Sequence, residues 1–255
     1  MEIQKTDFVQ SLEKGLKVLQ AFDAEDAEMT LSDVAKKVDL TRANARRILL
    51  TLQHLGFVNC RSGKMFSLAP KVLSLGYSYL SSLPFRELAL PYMQELTKEL
   101  NESCSMSVLD QMDIVYIARV QTKRIMTISL AVGTRLPAIA TSMGKVLLAG
   151  LKQEEVEKKL ASIEFEAFTP KSLTRTDFLN QLEEVRAQGW AIADEELEVG
   201  VRSLAVPVRD KNNKIIAALN ISGHASRVSV EDMKNSFLPA LQRTVSEIEK
   251  ALNLL

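Results

Sequence analysis

The chain has 255 residues, 46% hydrophobic and 25% charged, with 32 basic side chains against 32 acidic ones. That is ordinary for a globular protein and long enough for two cored domains. It excludes a bilayer-spanning segment, since no run is long and apolar enough, and the opening MEIQKTDFVQ lacks the apolar run of a signal peptide. Cys60 and Cys104 lack metal-ligand spacing. The sequence therefore predicts a cytoplasmic protein with reduced thiols, with no metal and no cofactor. The neutral total hides an asymmetry: residues 1–35 carry three lysines against eight acids, and residues 36–71 carry eight basic side chains against Asp39 alone.

In chain order, SLEKGLKVLQAF spaces Leu12, Leu16, Leu19 and Phe22 as a helix, with Ser11 as its expected cap. MTLSDVAKKV reads as a second short helix. After Asp39-Leu40 comes TRANARRILLTL, a third helix capped by Thr41. Ala45, Ile48, Leu49 and Leu52 fall on one of its faces. At 100° per residue, Ala43, Arg46 and Arg47 take the other, with Arg42 and Asn44 at its flanks. Gly56 is placed to end the helix. FVNCRSGKMFSLA reads as a hairpin turning at Ser62-Gly63, with Arg61 and Lys64 at the tip.

Three helices and a basic-tipped hairpin are the order of a winged helix-turn-helix, whose third helix enters the major groove. Arginine pairs with guanine and asparagine with adenine. Thr41, Arg42, Ala43, Asn44, Arg46 and Arg47 are the expected DNA-reading residues, and Arg61 and Lys64 the expected phosphate contacts. Double-stranded operator DNA is thus the expected partner, and the leucine stripe is the helix's inward face.

PKVLSLGYSYLSSLP reads as a helix bounded by Pro70 and Pro84, with Leu73, Tyr77 and Leu80 spaced for packing. The expected organisation is a winged helix-turn-helix over 8–69, a linker helix over 70–84 and a second domain over 85–255. Beyond Pro84, FRELALPYMQELTKELNES is amphipathic and helical. CSMSVLD, DIVYIARV and RIMTISLAV read as strands, and TRLPAIATS as irregular. MGKVLLAG, EEVEKKL and TDFLNQLEEVRAQG read as helices. WAIADEEL, VRSLAVPVRD and KIIAALNISG read as strands, and one terminal helix follows a cap near Ser229. Strands, helices and further strands make an α+β domain on a single sheet.

The sequence resembles the IclR family of bacterial transcriptional regulators over nearly its whole length. The likeness is carried by SLEKGLKVLQAF, by TSMGKVLLAG (141–150) and most specifically by GWAIADEELEVGVRSLAVPVRDKNNKIIAALNISG (189–223). ARVQTKRIMTISLAVGTRLPAIATSMGKVLLAG is similar to the branch regulating protocatechuate, p-hydroxybenzoate and β-ketoadipate catabolism. The resemblance implies a GAF-like effector-binding C-terminal domain and a homo-oligomer, dimer or tetramer, joined through the N-terminal region. It also implies a small organic acid as effector and, in this branch, activation more often than repression. Carried over by motif, the effector positions are Leu136, Ser142, Met143, Ala193, Ser203, Asn220 and Ser222.

These positions make physical sense. Ser142 and Met143 open a helix, where free N–H groups and the dipole favour a carboxylate. Asn220 and Ser222 alternate on one strand and so share a face. Ala193 and Met143 depart from the pattern of members with small aliphatic effectors, changing pocket volume and polarity. Arg119, Arg124 and Arg135 are candidate counter-ions for an aromatic carboxylate. A rival of another class comes from Ser142-Met143-Gly144-Lys145, which matches the S-x-x-K of acylating serine enzymes, with Ser142 as nucleophile and Lys145 as base. The companion S-D-N and K-T-G elements are missing, so the protein is expected not to be an enzyme.

Overall fold

The computed structural model describes residue 4 and residues 6–122 and 130–254. The chain divides into two compact units, Met1–Ser82 and Leu83–Leu255.

In the first unit, α1 (Gln10–Gln20), α2 (Leu31–Lys37) and α3 (Arg42–His54) surround a core of Val18, Phe22, Val34, Leu49, Leu52, Val58 and Phe66. A three-stranded antiparallel sheet of β1 (Glu28–Thr30), β2 (Val58–Arg61) and β3 (Met65–Leu68) closes it, in the order β1-β3-β2. Two expectations are corrected here. Ser11 is no cap: α1 begins at Gln10, two residues earlier than a Ser11 cap would set it, after Val9 and with no side-chain cap bond. The second helix does not start at Met29. Glu28–Thr30 pairs with β3, Met29 is buried in the core, and Thr30 is the cap of α2. Its hydroxyl accepts from Asp33 N at 3.3 Å, and Asp33 Oδ2 accepts from Thr30 N at 3.0 Å. This reciprocal capping box satisfies two otherwise orphaned amides.

A 3-10 turn over Pro70–Val72 leads into α4 (Leu73–Ser81). The spacing of its apolar residues suggested packing, but Leu73 is 75% and Tyr77 72% exposed.

The second unit is built on one antiparallel six-stranded sheet in the order β6-β5-β4-β9-β8-β7. Its strands are β4 (Ser103–Asp110), β5 (Asp113–Val120), β6 (Arg135–Pro137), β7 (Ala191–Asp194), β8 (Val201–Arg209) and β9 (Ile215–His224). The strand expected over 124–132 lies largely outside the described residues, and the stretch read as irregular contributes β6. Side chains alternate across a strand, so β4 sends Cys104 and Met106 to one face and Ser105 and Ser107 to the other. Helix α5 (Pro84–Leu100) packs on β4, β5 and the terminal helix α10 (Leu238–Leu252). Helices α6 (Ser142–Ala149), α7 (Gln153–Leu160) and α8 (Arg175–Gln188) share a core with Ala205 and Ala218 of the sheet. α6 comes close because residue 144 is glycine: a Cβ there would stand 2.0 Å from the Ala138 carbonyl oxygen.

The terminal helix runs unbroken from Val230 to Leu252 but is not α-helical throughout. After Ser229 caps α9 (Val230–Asp232), a π-helical turn over Met233–Phe237 precedes α10. Pro239 has no N–H to give to an α-helical ladder, and the wider turn stands immediately before it.

Candidate functional site

Two sites are formed, one in each unit. In the first, α3 buries Ala45, Leu49 and Leu52 and exposes Arg42, Ala43, Arg46 and Arg47, with Asn44 half-buried. Thr41 caps the helix, its hydroxyl accepting from Asn44 N at 3.3 Å. The Ser62-Gly63 turn has positive φ at both residues, 54° and 67°, which folds the hairpin tightly and leaves Arg61 and Lys64 exposed at its tip. The neighbouring acids do not cancel this cationic face. Lys37 holds Asp23 at 2.6 Å and Asp26 at 2.7 Å, and Lys17 holds Glu13 at 2.7 Å. Among the described residues, Arg42, Arg46, Arg47, Arg61 and Lys64 form no ion pair with these acids.

In the second unit a cavity of about 90 Å³ opens between α6 and the sheet. That is several times what one water needs, and fits a small organic molecule. Leu136, Met143, Ala193, Ser203, Asn220 and Ser222 line it. Strand register explains the convergence: Ser203 faces Ser222, Ala193 faces Ser203, and Ser105 faces Asn220 across adjacent strands. Asn220 is 4% exposed, and its Oδ1 is buried with no hydrogen-bond partner among the described residues. An unmet buried acceptor costs about 1–3 kcal/mol, so this carbonyl marks where a donor belongs.

Ser142 is not in the cavity wall. Thr141 is the cap of α6, accepting from Gly144 N at 3.1 Å, and Ser142 is fully buried with its Oγ 2.8 Å from Ser203 Oγ. It meets the ligand-facing candidate Ser203 from behind the cavity wall. Arg135 also lies outside the cavity lining. It stands beside Leu136 on β6, so it points to the opposite face, and its guanidinium holds Asp110 at 2.6 Å and Asp113 at 3.1 Å. Arg124 lies outside the described residues. Arg119 remains: it faces Ser105 in register and donates from Nη1 to Ser105 Oγ at 2.9 Å, on the sheet face that carries Asn220.

The S-x-x-K arrangement is not a serine–base pair. Lys145 is fully buried, and its Nζ donates to Glu196 Oε1 at 2.6 Å, Gln181 Oε1 at 2.7 Å and the Ile192 carbonyl at 3.1 Å. An ammonium has three donors, so none is left for Ser142. Burial pushes the lysine pKa down and the Glu196 carboxyl up, against the pull of the ion pair.

Sequence reasoning missed Tyr116, Thr141, Glu196 and Glu198, all on the cavity wall. Burial pushes the Tyr116 phenol up to about 12. Alternation along DIVYIARV would have placed Tyr116 inward. No local pattern marks Glu196. Among the described residues no group of three His, Cys, Asp or Glu is placed to hold a metal ion.

A winged helix-turn-helix with a bare cationic helix in one unit, and a small polar-lined cavity in the other, define a ligand-responsive transcription regulator. Residues 11–60 match the IclR helix-turn-helix domain and residues 77–250 match the bacterial transcriptional regulator IclR C-terminal domain. The chain belongs to the IclR family. It is 41% identical to the Pca regulon regulatory protein of Pseudomonas putida over 92% of this chain and 81% of that protein. It is 33% identical to the p-hydroxybenzoate hydroxylase transcriptional activator of Acinetobacter baylyi, over 97% of this chain and 93% of that one. The crystal structure of a transcriptional regulator from Rhodococcus sp. RHA1 superposes with a TM-score of 0.85 at 47% identity, covering 97% of this chain and 99% of that one.

Proposed function

We propose that this regulator activates an aromatic-acid catabolic operon in the cytoplasm, as a homo-oligomer whose second unit senses a small aromatic or dicarboxylic acid. The observation that carries the reading is the buried, unpaired Asn220 carbonyl on a cavity shared with Ser203 and Ser222. Arg119, two strands from Asn220 across Ser105 of β4, is the nearest candidate cation for the acid's carboxylate. The names of the Pseudomonas and Acinetobacter relatives support the catabolic assignment, and the second also supports activation. Thr41, Arg42, Ala43, Asn44, Arg46 and Arg47 read base edges, and Arg61 and Lys64 track phosphates. The effector acts by binding one arrangement of the paired winged helices better than another.

The test is a melting screen of the full chain against protocatechuate, p-hydroxybenzoate, β-ketoadipate, cis,cis-muconate, pyruvate and glyoxylate, followed by a reporter assay. One aromatic or ring-cleavage acid raises the melting temperature by mass action and raises transcription. Asn220→Ala loses that response while keeping operator affinity. No shift with any acid refutes the effector reading. A shift accompanied by falling transcription refutes activation and favours an IclR-type repressor.

A further inference from the structure

A second cavity of the second unit, about 270 Å³, opens at the far end of α6. It shares no lining residue with the cavity of Asn220: Met143 of α6 lines that one, and Val146 and Gly150 line this one. Val146, Val185 and Ile215 give it an apolar floor. Its rim is cationic. Arg186, Arg209 and Lys214 line it, and among the described residues no acidic side chain does. The acids nearby are engaged elsewhere. Glu183 holds Arg186. Asp210 Oδ1 accepts from the amides of Asn212 and Lys214, each at 2.9 Å, and Glu249 Oε1 accepts from Arg209 N at 2.7 Å.

The three cations are not alike. Arg186 is fixed: its Nε donates to the Ala149 carbonyl at 3.2 Å, answering the end of α6, and its Nη1 donates to Gln153 Oε1 at 2.8 Å. The side chains of Arg209 and Lys214 have no ion pair or hydrogen bond among the described residues. Lys214 stands in water, but Arg209 is half-buried, and a partly desolvated guanidinium without an anion is costly. Pro207 and Arg209 line the cavity while Val208 between them is fully buried, so strand alternation aims Arg209 at this space.

Two free cations beside an apolar floor fit an anion with two negative charges and an apolar body. A phosphate monoester carries nearly two charges above its second pKa near 6. Arginine meets it as a fork and lysine as a point charge. A monocarboxylate leaves one of the two cations unmatched. We propose that this cavity is a second small-molecule site, taking an organic phosphate: Arg209 and Lys214 bind the phosphate, and the organic part lies on Val146, Val185 and Ile215.

The experiment is calorimetric titration of the full chain at pH 8 and low salt with phenyl phosphate and with inorganic phosphate, repeated on Lys214→Gln and on Arg209→Gln combined with Lys214→Gln. One phenyl phosphate binds per chain, at least about tenfold tighter than inorganic phosphate, because its ring covers the apolar floor. Lys214→Gln weakens it about threefold and the double variant at least about tenfold. An excess of 4-hydroxybenzoate does not displace it. No binding of phenyl phosphate to the wild type overturns the proposal. Binding that survives the double variant, or that 4-hydroxybenzoate displaces, puts the phosphate elsewhere and overturns it as well. Inorganic phosphate binding as tightly as phenyl phosphate leaves an adventitious ion only. Lys214 is exposed and unbonded, so its single variant folds and keeps the test decisive if the double variant does not.

Discussion

Lys145→Met tests the packing of the second unit most severely. The substitution keeps the volume of the chain and removes the ammonium that sits 2.6 Å from Glu196, in a side chain with no solvent exposure. Glu196 is left as a buried carboxylate whose main partner is gone. Breaking a buried pair on one side costs about 3–5 kcal/mol. For a unit of this size each kcal/mol moves the melting temperature by about 2–4 °C, so the variant melts about 6–20 °C lower. The loss depends on pH. Burial already raises the Glu196 pKa, and without the lysine only the Asp194 N–H bond opposes that rise. A carboxyl raised in the folded state contributes stability at low pH and loses it as pH rises through the folded value. The deficit of Lys145→Met is therefore largest at pH 8 and shrinks on acidification toward pH 5. The double variant Lys145→Met with Glu196→Leu, which removes both charges, recovers most of the loss. Thermal unfolding by circular dichroism at pH 5 and pH 8 reads all three. A melting temperature within about 2 °C of wild type, or a deficit that does not change with pH, would refute the buried-pair argument.

Three further outcomes follow from the same geometry. Gly144→Ala drives a Cβ to within 2.0 Å of the Ala138 carbonyl and melts lower than wild type. Gly76→Ala, in the open on α4, stabilises by about 0.5–1 kcal/mol; equal effects in thermal melts would rule out the close approach of α6. Cys104 is fully buried and its thiol pKa is pushed up by that burial, so iodoacetamide labels half-buried Cys60 first in the native protein; equal labelling rates by mass spectrometry contradict the placement of β4. Arg46→Ala weakens operator binding and lowers the slope of log affinity against log salt by about one unit, with no change in melting temperature; unchanged binding removes Arg46 from the interface.

The recognition helix was legible because its signals are local. Thr41 caps it, its apolar residues recur at helical spacing, and Gly56 takes the positive φ of 80° that ends it. The three-residue strand β1 was not legible: its partner Phe66 lies 37 positions from Met29, and Thr30 reads equally well as strand or cap. In the cavity, period-two alternation brought Ser203, Asn220 and Ser222 to one face. The same rule, applied to Arg135 and Leu136 as neighbours, admits only one of them to the cavity, and β6 gives the place to Leu136. Glu196 escaped because its burial is the work of Lys145, 51 positions away. A run of Asp194, Glu195 and Glu196 looks like a solvated turn until the lysine is placed beneath it.

The two sites also differ in what they ask of the fold. The arginines of α3 stay in water, so their charge costs little to hold and is weakened by salt. Among the described residues, Asn220 Oδ1 and Glu196 Oε2 are buried beside the cavity without donors. Such groups subtract from stability until something fills them, which is why a ligand that fits should stabilise the folded unit more than its small contact area suggests.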